Sequence, residues 1–222
     1  MKRYKIGIVT PTYPPKGGGI ATAHFNIYQL LKDEHEVKVY AYNDIPEKNE
    51  GDIVKRKTPK WLIPIINLVA GIYLKRFRQK VNYVNVTRIL QCAVGAWLLN
   101  KPIRSFAPDF LIVPDNNVPL YWIRKGNYKI LWFTRNNYLR FRNNPLISNY
   151  NWLDLDIACS MERRALSKAD AVLSPSQYMI GEYHRAFKKK LPIYVIHNFI
   201  FEKEIQTILH TSEKKGNKIK AV

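Results

Sequence analysis

The first forty-two residues constrain the fold more than any other part of the chain. Tyr4-Lys5-Ile6-Gly7-Ile8-Val9 is a short apolar run that stops at Thr10-Pro11, as expected of a strand buried on both faces of a parallel sheet. The segment Pro14-Pro15-Lys16-Gly17-Gly18-Gly19 follows. Beyond it Ile20, Ala23, Ile27, Leu30 and Leu31 fall at helical spacing, and Glu36 to Tyr42 alternates as a second strand. Strand, glycine turn, helix and strand in this order make a βαβ unit, which builds a parallel sheet. The fold class expected is therefore α/β, a Rossmann-like doubly wound sheet.

The rest of the chain continues the alternation. Asp44 to Pro59 reads as a polar loop. Val86, Ile89, Leu90, Ala93, Val94, Trp97 and Leu98 mark an amphipathic helix. Asp109–Val113, Lys129–Phe133, Ala171–Leu173 and Pro192–Ile196 read as strands, and Leu155–Leu166 as a helix. Ser176 is an N-cap for a helix from Gln177 to about Phe187. No internal repeat is visible. The tail from Glu202 to Val222 is lysine-rich, and Asn217–Val222 resembles a strand that begins and stops.

A chain of 222 residues buries an adequate core without metals or disulfides. Its two cysteines, Cys92 and Cys159, match neither a secreted disulfide framework nor a zinc site, and point to a reducing, cytoplasmic setting. No signal peptide is expected, since Met1–Lys5 run straight into an apolar strand with no h-region and small-residue cleavage site. The longest apolar stretch, Trp61 to Leu74, contains Pro64 and Asn67 and falls short of the roughly 20 residues of a membrane span. The five histidines, His24, His35, His184, His197 and His210, show no metal-like clustering, so no metal is expected.

Net charge is the strongest compositional signal, +19. It concerns partners rather than fold, because such a field attracts anionic surfaces and ligands. Residues 53–108 contain no acid but include Lys55, Arg56, Lys57, Lys60, Lys75, Arg76, Arg78, Lys80, Arg88, Lys101 and Arg104. A second acid-free stretch, 116–153, adds Arg124, Lys125, Lys129, Arg135, Arg140 and Arg142. Trp61, Tyr73, Phe77, Tyr83 and Trp97 interleave with the first set. Lys55, Arg56, Lys60, Trp61, Lys75, Arg76 and Arg78 are the candidate membrane contacts, each cation contributing about 1 kcal/mol near an acidic leaflet. The alternative is a solvated helix face over ordinary core aromatics.

Three segments, taken in order, resemble the N-terminal domain of family 4 of the retaining GT-B glycosyltransferases. The first is Ile6–Tyr42, with Pro14-Pro15 and Gly18-Gly19-Ile20 before the helix and His35-Glu36-Val37 opening the second strand. The second is Phe106-Ala107-Pro108-Asp109. The third runs from Glu162-Arg163-Arg164-Ala165-Leu166 through Ala169-Asp170-Ala171-Val172 and Ser176 to Val195-Ile196-His197-Asn198.

The resemblance implies a domain over residues 1–200 that faces an acceptor, with 201–222 forming a linker and the start of a donor-binding domain. It implies transfer of a hexose from a nucleotide-sugar, UDP- or GDP-linked, as co-substrate and with no bound cofactor. The acceptor would be a glycan or lipid-linked molecule in cell-envelope polysaccharide synthesis, at the inner face of the membrane. Nothing after Asn198 resembles the family's donor-binding glutamate motif. A shortened chain, an interrupted reading frame or one gene of a split enzyme are the readings, and the chain alone is expected to be inactive.

Site residues follow in the same terms. Gly17, Gly18 and Gly19 would face donor phosphate or sugar, using positive φ and a helix N-terminus that favours anions; a tight β-to-α turn is the plainer alternative. The family's histidine after the fifth strand is absent. Thr134 and Arg135 stand there as catalytic candidates. Arginine is no general base at neutral pH but clamps phosphate well; it is otherwise a surface cation. Asp115, Asn116 and Asn117 end a strand where open α/β sheets carry their crevice, and would bind acceptor hydroxyls or form a plain turn. His24 either reaches the cleft or is structural, and Glu162 is read as structural.

Two other function classes compete with the enzyme. One is a basic nucleic-acid-binding module, which no recognised motif supports. The other is a non-catalytic subunit that recruits a separate donor-binding partner to membranes.

Overall fold

The computed structural model describes residues 2–13, 18–43, 51–76, 84–135, 137–142 and 152–197. Gly17, Arg78, the segment 201–222 and its strand-like end lie outside the described residues, as do the side chains of Lys75 and Arg76.

Among the described residues seven strands form one all-parallel sheet in the order β3-β2-β1-β4-β5-β6-β7. They are β1 (Lys5–Thr10), β2 (Glu36–Ala41), β3 (Ile53–Lys55), β4 (Phe110–Pro114), β5 (Lys129–Phe133), β6 (Ala171–Ser174) and β7 (Ile193–Val195). The helices are α1 (Gly19–Leu31), α2 (Leu62–Arg76), α3 (Val84–Leu98), α4 (Asn100–Phe106), α5 (Pro119–Trp122), α6 (Tyr138–Arg142), α7 (Trp152–Leu166) and α8 (Gln177–Ala186).

Alternation along the strands supplies two cores. Ile6, Ile8, Val37, Val39, Ile112, Phe133 and Leu173 face α1 and its Ile27. Val9, Leu111, Val113, Ile130, Trp132 and Val172 point the other way, toward Ile89, Ala96 and Leu99 of the α3 side and Ala158 and Ala165 of α7. Burial on both faces explains why β1, β4 and β5 are nearly continuous apolar runs. Gly7 fits here for a steric reason: a Cβ would lie 2.6 Å from Leu111 Cδ1.

Two acids tie the strand starts together. Asp109 accepts from the Lys5 N–H at 2.8 Å, and Asp170 from the Ile130 N–H at 2.9 Å. Both therefore act at the sheet's N-terminal edge. Ser176 caps α8 as expected, accepting from the Met179 N–H at 3.3 Å.

The structure corrects two expectations and assigns a segment that the sequence had left without an element. Asp44–Pro59 is not all loop, since Ile53–Lys55 pairs with Val39–Ala41 as the edge strand β3. Three residues are too few to show a period in sequence. Trp61–Leu74, judged only as too short for a span, is mostly helix α2. Pro64 is tolerated because it falls in the first turn, where no intrahelical N–H bond is lost. In α1, Leu30 faces outward at 57 % exposure, and Ala21, His24 and Ile27 form the buried stripe.

Candidate functional site

The strand order reverses between β1 and β4: the chain builds outward through β2 and β3, then returns to the other side of β1. Ligand crevices in open α/β sheets form at such a point, beyond the strands' C-terminal ends. A cleft of about 510 Å³ lies there, lined on one side by Thr12, Gly18, Gly19 and Asn43, and on the other by Arg88, Gln91, Asn116 and Asn117.

On the β1 side, α1 begins with Gly18 as N-cap, with no side-chain cap bond and no acid in its first turn. Backbone N–H groups of the first helical turn lack intrahelical partners, so this end suits an anion. Gly18 has φ −99°, and among the described residues Gly51 is the glycine with positive φ. The expected use of left-handed backbone therefore fails at Gly18 and Gly19. A Cβ at either would meet nothing within 4 Å. What their lack of a side chain provides is open approach to the helix terminus.

The opposite wall is shaped by a strained loop. Asn117 and Val118 take φ 55° and 48°, unusual for any residue but glycine and costly for a β-branched one. Burial of Val118 and a bond from the Tyr42 hydroxyl to the Asn116 carbonyl, 2.8 Å, hold the loop in place. Val118 N–H also donates to the Asp115 carbonyl at 3.0 Å.

Asp115 itself is fully buried. Its Oδ2 accepts from the Arg135 N–H at 2.6 Å and from the Thr134 hydroxyl at 3.3 Å, joining the ends of β4 and β5. Thr134 is equally buried. Arg135 stacks its guanidinium over Phe133, 4.4 Å from the ring centroid, and lines a small crevice with Asn26 and His197. Burial lowers its pKa, with Asp115 acting against the shift.

His24 is 1 % exposed, its ring 5.7 Å from Phe133, which lines that crevice. Neither ring nitrogen has a hydrogen-bond partner among the described residues. Burial, then the charge of Arg135, lowers its pKa to about 3, so the imidazole is neutral.

Glu162 completes the buried polar group. It is fully buried, and its Oε2 accepts from the Tyr138 N–H at 3.1 Å. Burial and the neighbouring Asp115 hold its pKa well above the usual carboxylate range, against the Tyr138 bond and Arg163.

The site residues named from sequence thus divide into two sets. Gly18, Gly19, Asn116 and Asn117 meet at the cleft, whereas His24, Asp115, Thr134 and Arg135 form an adjoining, largely buried cluster. Lys55 and Arg56 are half-buried at the β3 edge, and Lys60 and Trp61 are exposed at the start of α2. The sequence reading missed Arg88, Gln91, Thr12 and Asn43 as cleft residues. Positions 88, 91 and 92 share one helical face, the signal that was available for two of them. A further missed residue is Asp154, which holds the start of α3 by accepting from the Asn85 and Val86 N–H groups at 3.2 and 2.8 Å.

The family profile described as Glycosyltransferase Family 4 matches residues 17–202. The chain belongs to that family. No curated protein sequence matches it. Among solved structures, sucrose-phosphate synthase from Thermosynechococcus elongatus aligns with a TM-score of 0.55 at 10 % identity, covering 88 % of this chain and 48 % of its own. Spinosyn forosaminyltransferase SpnP aligns at 0.41 and 11 % identity, over 90 % and 52 %. A Glycyrrhiza uralensis protein, UGT73P12, crystallised with glycyrrhetinic acid 3-O-monoglucuronide, aligns at 0.37 and 11 %, over 88 % and 49 %. This Family 4 chain spans about half the length of each. Its fold is the Rossmann-like half of a GT-B architecture.

Proposed function

We propose that this Family 4 chain forms the acceptor-side wall of a sugar-transfer cleft, whose donor-binding wall belongs to a second GT-B half. The observation that carries the reading is the cleft at the β1/β4 switch point, bounded by the uncapped N-terminus of α1 and the Asn116-Asn117 loop. Gly18 and Gly19 face the phosphates or sugar of a UDP- or GDP-sugar. Asn116 and Asn117 bind hydroxyls of the acceptor, a glycan or lipid-linked molecule of cell-envelope polysaccharide. Transfer is of a hexose, with retention, as the family resemblance implies.

Arg135 supplies positive charge for the departing phosphate, a role that needs no proton transfer. Thr134 and Asp115 position it, because the Asp115 carboxylate holds the Arg135 backbone. Support for a second half comes from the sucrose-phosphate synthase structure, of whose chain this one covers 48 %. Closure of two halves fixes geometry and excludes water.

The test is transfer of labelled sugar from UDP- and GDP-sugars to a membrane lipid extract. The 222-residue chain alone is expected to give no transfer above background, and a donor-binding half added in trans to restore it. Robust transfer by the chain alone would contradict the reading.

A further inference from the structure

Helix α2 is apolar from Leu62 to Leu74 apart from Asn67 and the Tyr73 hydroxyl. It carries no charge between Leu62 and Leu74. Ala70 is buried and Ile63 and Ile66 are partly so, yet Trp61, Ile65, Leu68, Val69, Ile72 and Tyr73 are 47–70 % exposed. A helix of this composition is ordinarily core or membrane, and so continuous an exposed apolar face marks an interaction surface.

The charges around it select the partner. Lys60 is exposed beside Trp61, Arg88 is exposed on α3, which packs against α2, and residues 53–108 hold no acid. A second copy of the chain, itself carrying a net charge of +19, would bring the same basic segment against this face. An anionic lipid surface meets both requirements, taking apolar side chains below its headgroups and cations among them. At 15 residues α2 is about 22 Å long, short of the roughly 30 Å hydrocarbon layer, and among the described residues no helix is long and apolar enough to cross a membrane.

We propose that α2 lies flat in the headgroup–acyl boundary of an anionic bilayer, with Leu68 and Ile72 inserted and Trp61 and Tyr73 at the interface. Gln91 donates to Asn67 of α2 at 2.9 Å and also lines the cleft. The inserted helix therefore borders the cleft, and a lipid-anchored acceptor would enter it from the bilayer side; this last step rests on the sugar-transfer reading, while the docking does not.

The experiment is flotation of the full chain with vesicles of phosphatidylcholine alone or with about one-third phosphatidylglycerol, in about 0.1 M salt, where screening still leaves a Debye length of about 10 Å. The chain is expected to float with the anionic vesicles and remain below with the neutral ones. L68E/I72E should lower the bound fraction at least about tenfold with an unchanged circular-dichroism melt, and Trp61→Ser, a smaller perturbation, should lower it measurably. Failure of the wild type to float with anionic vesicles would overturn the proposal, as would flotation of L68E/I72E and W61S equal to wild type. A stable dimer in sedimentation that L68E/I72E dissociates would also overturn it, assigning the face to a second copy. Failure here leaves sugar transfer to a soluble acceptor intact, so the two readings fail separately.

Discussion

The backbone N–H of Arg135 donates to the carboxylate of Asp115 at 2.6 Å, across the C-terminal ends of adjacent strands β5 and β4. The Thr134 hydroxyl reaches the same oxygen at 3.3 Å. One buried carboxylate thus sets both the loop carrying Asn116 and Asn117 and the backbone from which the Arg135 side chain departs. Replacing Asp115 by Ala strands buried donors, which costs about 1–3 kcal/mol. Urea denaturation should show that loss. Asp115→Asn keeps an acceptor oxygen, and its midpoint should lie between wild type and D115A.

Glu162 and His24 give stability opposite pH dependences. Glu162 has a folded pKa raised above its ordinary value of 4.5, so the native state binds more protons than the unfolded one above that pH. Stability from this group is complete below about pH 4.5 and falls as pH rises toward the folded pKa. Glu162→Gln should flatten that decline and raise the melting temperature at pH 8 more than at pH 5. Equal effects at both pH values would show that Glu162 ionises freely in the fold.

For His24 the sign reverses. Its folded pKa falls from 6.5 to about 3, so its contribution is present above pH 6.5 and is lost as pH falls toward 3. His24→Gln should reduce the drop in stability between pH 7 and pH 4, read by denaturant titration at each pH. An unchanged acid limb would contradict the buried neutral imidazole.

Much of this arrangement was legible in sequence because it depends on period. The run Ile6–Val9 and the alternation Glu36–Tyr42 gave two neighbouring strands, and Lys129–Phe133 coincides with β5. A crevice at the end of the Asp109–Val113 strand was expected from the α/β class, whereas the strand order that sets β1 beside β4 was not read from sequence. Less visible was what distance in sequence conceals. Asp154 accepting from Asn85, or Tyr42 from the second strand reaching Asn116, depends on contacts 69 and 74 residues apart. Likewise nothing local distinguishes Asp115, buried as a brace, from Asn116 beside it in the cleft. Gly18 and Gly19 line the cleft without the positive φ expected of them, because composition does not reveal φ.

That correction separates ligand approach from turn geometry. Gly19→Ala adds a methyl group in open space at a helix start, and should leave stability unchanged or raise it by about 0.5–1 kcal/mol. Gly18→Ala should also fold. In the reconstituted transferase both variants should lower transfer, Gly19→Ala while melting at or above the wild-type temperature and Gly18→Ala at a small cost in stability, since alanine is a poorer N-cap than glycine. A lowered melt with undiminished transfer would restore the turn as the glycines' main purpose.

Gly95 has the contrasting role. A Cβ there would collide with the Tyr42 carbonyl oxygen, and its N–H donates to the Thr58 hydroxyl at 3.2 Å. Gly95→Ala must push α3 off the end of β2, at a cost of about 1–3 kcal/mol. Because α3 carries Arg88 and Gln91, the cleft should widen too. Thermal denaturation and cleft-residue amide shifts in nuclear magnetic resonance would detect the two effects.

The most direct measurement is an amide chemical-shift titration of the 222-residue chain with UDP-glucose, GDP-mannose and inorganic phosphate. Perturbations should centre on Gly18, Gly19, Asn116 and Asn117, weak because the proposed donor-binding half takes no part in the titration. Perturbations confined to other surfaces, or none up to millimolar ligand, would contradict the proposed cleft.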